Sequence, residues 1–289
     1  PGLVTEEQLA GWANVTAAVH AEGGRIFAQV MHAGRVTHQD TTGGYEVVAP
    51  SAIAIDGETR TYEGKQAFPV PRALTTEELP GIVDEFVTAS RKAVEAGFDG
   101  VELHSANGYL LHEFLTPAAN QRDDVYGGSP ENRARFVIEV TQAVVDAIGA
   151  DRVGIRLSPE HNVQGALELD AADVRATYAH LVDALAPLKL AYLSILHKDP
   201  TSELVQDLRA RFNGTFLINT GFGIVTTRDE ARALVADGHA DAVVVGRPAI
   251  ANPDLVRRWR DGLPVNEANP ATFYTDGAEG YTDYPAYQN

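Results

Sequence analysis

The chain contains no cysteine. That absence excludes disulfide cross-links, thiolate nucleophiles, Cys-ligated zinc and iron–sulfur clusters. Basic residues are scarce as well: 23 Lys and Arg stand against 40 Asp and Glu, a net charge of −17. No basic run supplies the positive footprint that a phosphate backbone demands, so nucleic acid is not an expected partner. Apolar runs are short, "AVVV" at 242–245 among the longest, far below the roughly 20 residues a helix needs to cross a bilayer. Nor does a charged-then-apolar signal segment open the chain. The reading is a cytoplasmic protein without membrane contact. GxGxxG follows none of the strand-like segments, which disfavours a doubly wound dinucleotide-binding sheet.

What is present is a regular alternation. Thr5 opens a helix whose first turn carries Glu6 and Glu7, Gly23-Gly24 stops it, and the strand "RIFAQVMH" follows. Residues 33–74 are rich in Gly, Thr and Pro and read as a long functional loop over the mouth of the fold. A helix from about Thr76 to Ala96 then feeds the strand "FDGVELH". Ser129 as N-cap and Pro130 at the first helical position start the next helix, which leads to "RVGIRLS" at 152–158. The pattern repeats with a helix from about Asp170, "LAYLSIL" at 190–196, a helix near 201–211, "TFLINTG" at 215–221, a helix from Thr226 or Thr227, and "DAVVVG" at 241–246.

Each strand is short and almost continuously apolar, as parallel strands covered on both faces are. The fold expectation is therefore α/β, a (β/α)8 TIM barrel with six strand–helix units visible, residues 1–289 forming one domain. Closure of such a barrel calls for two further strands. They are expected in a segment before Pro1, in the same molecule or in a complementing second chain, because an open barrel exposes sheet edges and core.

In a parallel barrel the chemistry sits at the carboxyl ends of the strands. Polar residues at those ends are Gln29 and His32, His104, Arg156 and Ser158, His197, Asn219, and Gly246-Arg247. In "HSANGYLLHEF" His104 and Asn107 read as one helical turn apart, two donors for one ligand oxygen, with Tyr109 as a nearby acid. The alternative is that His104 and Asn107 cap the following helix while Tyr109 packs in its first turn. The turns "NTGFG" and "GRP" offer backbone N–H groups and Arg247 for an anion, consistent with phosphate held by late barrel loops. Arg156 would place a fixed cation near the middle of the mouth, which suits a reduced flavin. A competing reading takes His32, His104 and His197 as metal ligands of a barrel hydrolase. No HxH pair or obvious bridging carboxylate supports that reading.

The segment "HSANGYLLHEFLTPAANQRDDVYGGSPENRARF" (104–136) resembles the signature of the old yellow enzyme family of FMN-dependent ene-reductases. "GGRIFAQVMHAGR", "GIRLSP", "GRPAIANPDL" and "TFYTDGAEGYTDYP" are similar to family segments in the same order, so the resemblance spans the chain. It implies FMN as cofactor, NADPH or NADH as hydride donor, and reduction of the C=C bond of α,β-unsaturated carbonyl or nitro compounds by ping-pong hydride transfer. It further implies that His104 and Asn107 hold the substrate's oxygen and that Tyr109 protonates the neighbouring carbon. Gln29 and Arg156 would contact the flavin ring, and Gly221, Phe222, Gly223, Gly246 and Arg247 its phosphate. Met31 stands where many relatives carry tryptophan, a change that reshapes the substrate pocket, and Tyr274 matches an aromatic residue overhanging that pocket. The family's first two barrel strands have no counterpart, which leaves a flavin-free, non-catalytic chain as a further alternative. The lack of cysteine separates the chain from family members that carry an iron–sulfur cluster.

Overall fold

The computed structural model describes residues 2–275 and 277–288. The first helix, α1 (Glu6–Ala21), starts where Thr5 accepts the Gln8 N–H while the Gln8 side chain accepts the Thr5 N–H, a reciprocal cap that satisfies two otherwise orphaned donors. Strand β1 (Phe27–Val30) follows, then the short strands β2 (Val48–Ala49), β3 (Glu58–Thr61), β4 (Gly64–Ala67) and β5 (Arg72–Ala73). Next come α2 (Leu79–Glu95), β6 (Gly100–Ser105), α3 (Leu110–Leu115), α4 (Pro130–Ile148), β7 (Val153–Leu157), α5 (Ala171–Leu185) and β8 (Tyr192–Leu196). The chain ends with α6 (Glu203–Phe212), β9 (Phe216–Asn219), α7 (Arg228–Ala236), β10 (Ala242–Val243), α8 (Arg247–Ala251) and α9 (Leu255–Asp261). No helix among the described residues is long and apolar enough to cross a membrane.

The main sheet runs β1-β6-β7-β8-β9-β10, every pair parallel. These are six consecutive strands of a (β/α)8 barrel. Among the described residues β1 and β10 each pair on one side only, and the arc does not close.

The alternation of side chains along a strand separates two faces. Val101, Leu103, Val153, Ile155, Leu193, Ile195, Phe216 and Ile218 point outward and are fully buried beneath the helices. Phe86 of α2, Phe136 and Val140 of α4, and Leu181 of α5 join the same cluster. Each such side chain contributes roughly 1.5–3 kcal/mol when removed from water, so this outer layer is the main source of stability.

The inner face differs from one end of the strands to the other. At the amino ends Phe27 and Tyr192 meet with ring centroids 5.5 Å apart. They occupy the space left by two glycines, since a Cβ on Gly100 would overlap the Phe27 ring and one on Gly154 the Tyr192 ring. Above this aromatic floor the inner face turns polar: Gln29 lies opposite Glu102, His104 opposite Arg156, and Arg156 opposite Ser194.

Residues 33–74 are not a bare loop, which corrects the sequence expectation. They hold a parallel β2–β5 pair and a β3–β4 hairpin closed by Tyr62-Glu63. Thr, Val and Arg at these positions tolerate extended backbone, and short pairs of this kind carry little hydrophobic periodicity for a sequence reading to detect. Arg122 fastens the insert by donating to the Pro50 and Leu74 carbonyls.

Candidate active site

His104 is the penultimate residue of β6 and 4% exposed. Its Nδ1 is buried with no partner. Burial above all, with Arg156 and then His112 adding positive charge, pushes its pKa down to about 3. The ring is therefore a neutral imidazole with one N–H to offer.

Asn107 does not lie one helical turn beyond His104, as the spacing suggested. The chain leaves β6 in a tight turn in which Asn107 and Gly108 both adopt left-handed backbone, φ 58° and 85°. Non-glycine residues pay for that conformation, and asparagine is among those that tolerate it. The Asn107 N–H donates to Ser158 Oγ at 2.8 Å, which fixes the turn to the end of β7. Its side-chain Oδ1 is buried without a partner. Tyr109 is the N-cap residue of α3 but makes no side-chain cap. Its ring stands edge-on to the His104 ring, centroids 4.9 Å apart. The helix-capping alternative for these residues thus has no support in the geometry.

Arg156 is 9% exposed and makes only long contacts, 3.5 Å to Ser194 Oγ and 3.4 Å to Asn219 Oδ1. Burial lowers its pKa while Glu102 opposes that shift, and a guanidinium stays charged through such changes. Gln29 donates to Glu102 Oε1 at 2.6 Å. The Tyr192 hydroxyl has its pKa raised first by burial and then by the charge of the Glu102 carboxylate. Glu102 went unrecognised in the sequence, although its place two residues before His104 on one strand put it on the same face.

The late turns are open. Gly221 has φ 98° and Phe222 is 55% exposed, and a Cβ at Gly223 or Gly246 would meet nothing within 4 Å. Arg247 begins α8 and donates to the Phe222 carbonyl, tying the two turns together. Asn219 links them to Arg156: its Oδ1 accepts from the Gly221 N–H at 3.2 Å, and its Nδ2 donates to the Val244 carbonyl at 3.0 Å. His161, from the loop after β7, stands edge-on to Phe222 at 5.1 Å.

Two sequence candidates remain, Met31 and Tyr274. Met31, 46% exposed, lines a hollow of ≈ 450 Å³ with Val30, His32 and Phe86 between β1 and α2. That lining does not include His104, Asn107 or Tyr109. Tyr274 is 92% exposed.

The proposed metal ligands do not converge. Among the described residues no group of three or more His, Cys, Asp or Glu side chains is placed to hold a metal ion. His32 Nδ1 accepts the Gly34 N–H, and His197 is engaged by the Asp199 backbone and by Glu160.

The donor set fits a flavin mononucleotide. Gln29 and an under-used Arg156 suit the polar edge of the ring, and the open glycine turns with Arg247 suit a phosphate. Comparison with known proteins agrees. Residues 1–266 match the NADH:flavin oxidoreductase / NADH oxidase family. A Leishmania infantum protein named "Probable flavin mononucleotide-dependent alkene reductase" is 42% identical over 98% of this chain and 78% of its own length. The 12-oxophytodienoate reductase 1 of Oryza sativa subsp. japonica is 39% identical over 99% of this chain and 75% of its own. Morphinone reductase in complex with tetrahydroNAD superposes with a TM-score of 0.92 at 42% identity, covering 100% of this chain and 80% of that structure. The old yellow enzyme homologue from Zymomonas mobilis gives 0.92 at 38%, covering 99% and 81%. The chain belongs to the NADH:flavin oxidoreductase / NADH oxidase family and is an FMN-dependent oxidoreductase of the old yellow enzyme type.

Proposed function

We propose that this protein uses NADPH or NADH to reduce the C=C bond of small α,β-unsaturated carbonyl or nitro compounds, with His104, Asn107 and Tyr109 as its catalytic residues. The observation that carries the assignment is the buried Nδ1 of His104, which no protein group satisfies, beside the Arg156 cation and the enclosed Asn107. Unsatisfied buried polar atoms are costly and persist where a ligand completes them.

FMN, when bound, supplies the hydride it has received from the nicotinamide. Gln29 and Arg156 would hold its ring, and Gly221, Phe222, Gly223, Gly246 and Arg247 its phosphate. The neutral His104 and the Asn107 amide donate to the substrate's carbonyl or nitro oxygen. Their pull strengthens as that oxygen gains negative charge, so they favour the transition state over the ground state. Tyr109 gives its hydroxyl proton to the carbon next to the polarised group. The turn that carries Asn107 is locked in advance by Ser158, so little reorganisation accompanies the chemistry. Nicotinamide and enone would use one pocket in turn, which predicts ping-pong kinetics. Residues 33–74 would roof that pocket.

The purified protein should be yellow, bleach anaerobically on addition of NADPH and recover its colour with cyclohexenone. A colourless protein that hydrolyses esters and loses activity to chelators would point to the metal reading instead.

A further inference from the structure

The loop after β7 and helix α3 share a buried polar network that the reaction as described leaves unused. His112, in the first turn of α3, is fully buried. Its Nδ1 lies 2.9 Å from the Gly108 N–H and must accept from it, so the ring proton resides on Nε2. Nε2 faces Glu168 Oε1 at 3.2 Å. The same carboxylate oxygen accepts the Tyr178 hydroxyl of α5 at 2.8 Å, and Oε2 accepts the Glu160 N–H at 2.7 Å. The Glu168 N–H in turn donates to Asn162 Oδ1 at 2.6 Å. Glu160 continues the network to His197 Nε2, 3.3 Å away.

Strain explains why such a network is needed. In the loop after β7, Glu160, Asn162 and Gln164 all take left-handed backbone, φ 58°, 51° and 56°. Left-handed backbone is unfavourable for each of these side-chain-bearing residues. The loop packs so tightly on the Asn107–Gly108 turn that a Cβ at Gly108 would come within 2.9 Å of the Gln164 Cβ and 3.0 Å of the Val163 carbonyl. Two strained segments therefore lean on each other. Glu168 restrains one, His112 restrains the other, and their mutual hydrogen bond joins the two restraints.

We infer that His112, backed by Glu168, is a positioning residue for the reduction: by accepting the Gly108 N–H it sets where Asn107 and Tyr109 stand relative to the substrate. The inference rests on the roles assigned above to Asn107 and Tyr109. His112 touches no substrate. Loss of its bond leaves the Gly108 N–H buried and unpaired and frees the turn, and a displacement of about 1 Å in a reacting group can cost on the order of 100-fold in rate.

The test is a mutant cycle on the FMN-loaded enzyme, with reoxidation by cyclohexenone followed by stopped flow. Asn107→Ala alone tests the underlying assignment, and no loss of rate there would overturn that reading rather than this inference. His112→Leu should slow reoxidation roughly 10- to 100-fold in the native background and far less when Asn107→Ala and Tyr109→Phe are both present, because its effect passes through those two side chains. Equal losses in both backgrounds would mean general loosening and would defeat the inference. His112→Asn, whose Oδ1 lies close to the position of imidazole Nδ1, retains an acceptor for Gly108 and should recover most of the rate. Failure of that rescue in a variant with a native melting temperature would also defeat it. A spectral titration with cyclohexenone under oxidised conditions gives a second readout: His112→Leu should weaken binding and His112→Asn should restore it. If His112→Leu does not fold, Glu168→Gln replaces it in the cycle, with the same coupling to Asn107 and Tyr109 expected and additivity again counting against the role.

Discussion

The two halves of the candidate site are built in opposite ways. At the ends of β6 and β7 the functional side chains are enclosed: His104, Asn107 and Arg156 are 4%, 5% and 9% exposed. They sit on regular strands or in a turn pinned by Ser158 and His112. At the ends of β9 and β10 the groups assigned to phosphate lie on glycine turns in open space, with Phe222 55% exposed. The difference matches the chemistry proposed for each half. Polarising a carbonyl requires donors held in place before the charge develops. Gripping a dianionic phosphate requires only backbone N–H groups and a cation, and the ligand's own charge organises them.

Tyr109→Phe tests the enclosed half most severely. It should slow reoxidation of the reduced enzyme by an enone about 10²–10⁴-fold while leaving reduction by NADPH nearly unchanged. Equal effects on the two half-reactions in stopped flow would remove the proton-donor role. In the open half Arg247→Leu should weaken FMN binding by roughly 10- to 100-fold, the loss of one charge-assisted contact, with the turnover of saturated enzyme little altered. Fluorescence titration of the apoprotein with FMN measures it.

The enclosed half should also respond to pH through Glu113. This carboxyl accepts the Arg35 N–H at 2.8 Å, its other oxygen is buried and unpartnered, and burial pushes its pKa up to about 8 against the opposing influence of Arg35. It is neutral in the native state but ionised in the unfolded chain above its ordinary value of 4.5. The native state therefore binds the extra proton, and Glu113's contribution to stability is full below pH 4.5 and lost as pH rises toward 8. Melting temperatures recorded across that window should fall more steeply for the native protein than for Glu113→Gln.

Ser158→Ala and Gly223→Ala then set one half directly against the other. The first strands the buried Asn107 N–H and should cost about 1–3 kcal/mol of stability. The second adds a methyl group to open space and should change stability by no more than about 0.5 kcal/mol. Urea denaturation of the two variants side by side would contradict the contrast if their costs were alike.

Much of the enclosed half was legible before folding. Ser129 and Pro130 start α4 where their residue types require, and Asp170 and Thr227 cap α5 and α7, because capping is a local matter of one side chain and the next N–H groups. The six parallel strands were legible as short apolar runs. The strands within 33–74 were not, since extended backbone in polar sequence has no periodic mark. Nor did the sequence disclose Glu102 as the partner of Gln29, or His112 as the acceptor for Gly108. Both depend on pairing across strands or on a turn whose left-handed geometry no spacing rule conveys. The helical spacing read for His104 and Asn107 is replaced in the structure by a left-handed turn.

The sequence alone determined the αβ alternation, the absence of thiol and disulfide chemistry, and the identity of the polar residues at the strand ends, because these rest on composition and local periodicity. Tertiary structure decided what those residues become. Burial among Arg156, His112 and the strand core makes His104 a neutral donor. Packing of two strained loops through His112 and Glu168 places Asn107 and Tyr109. Both are properties of the surroundings, which only the fold brings together.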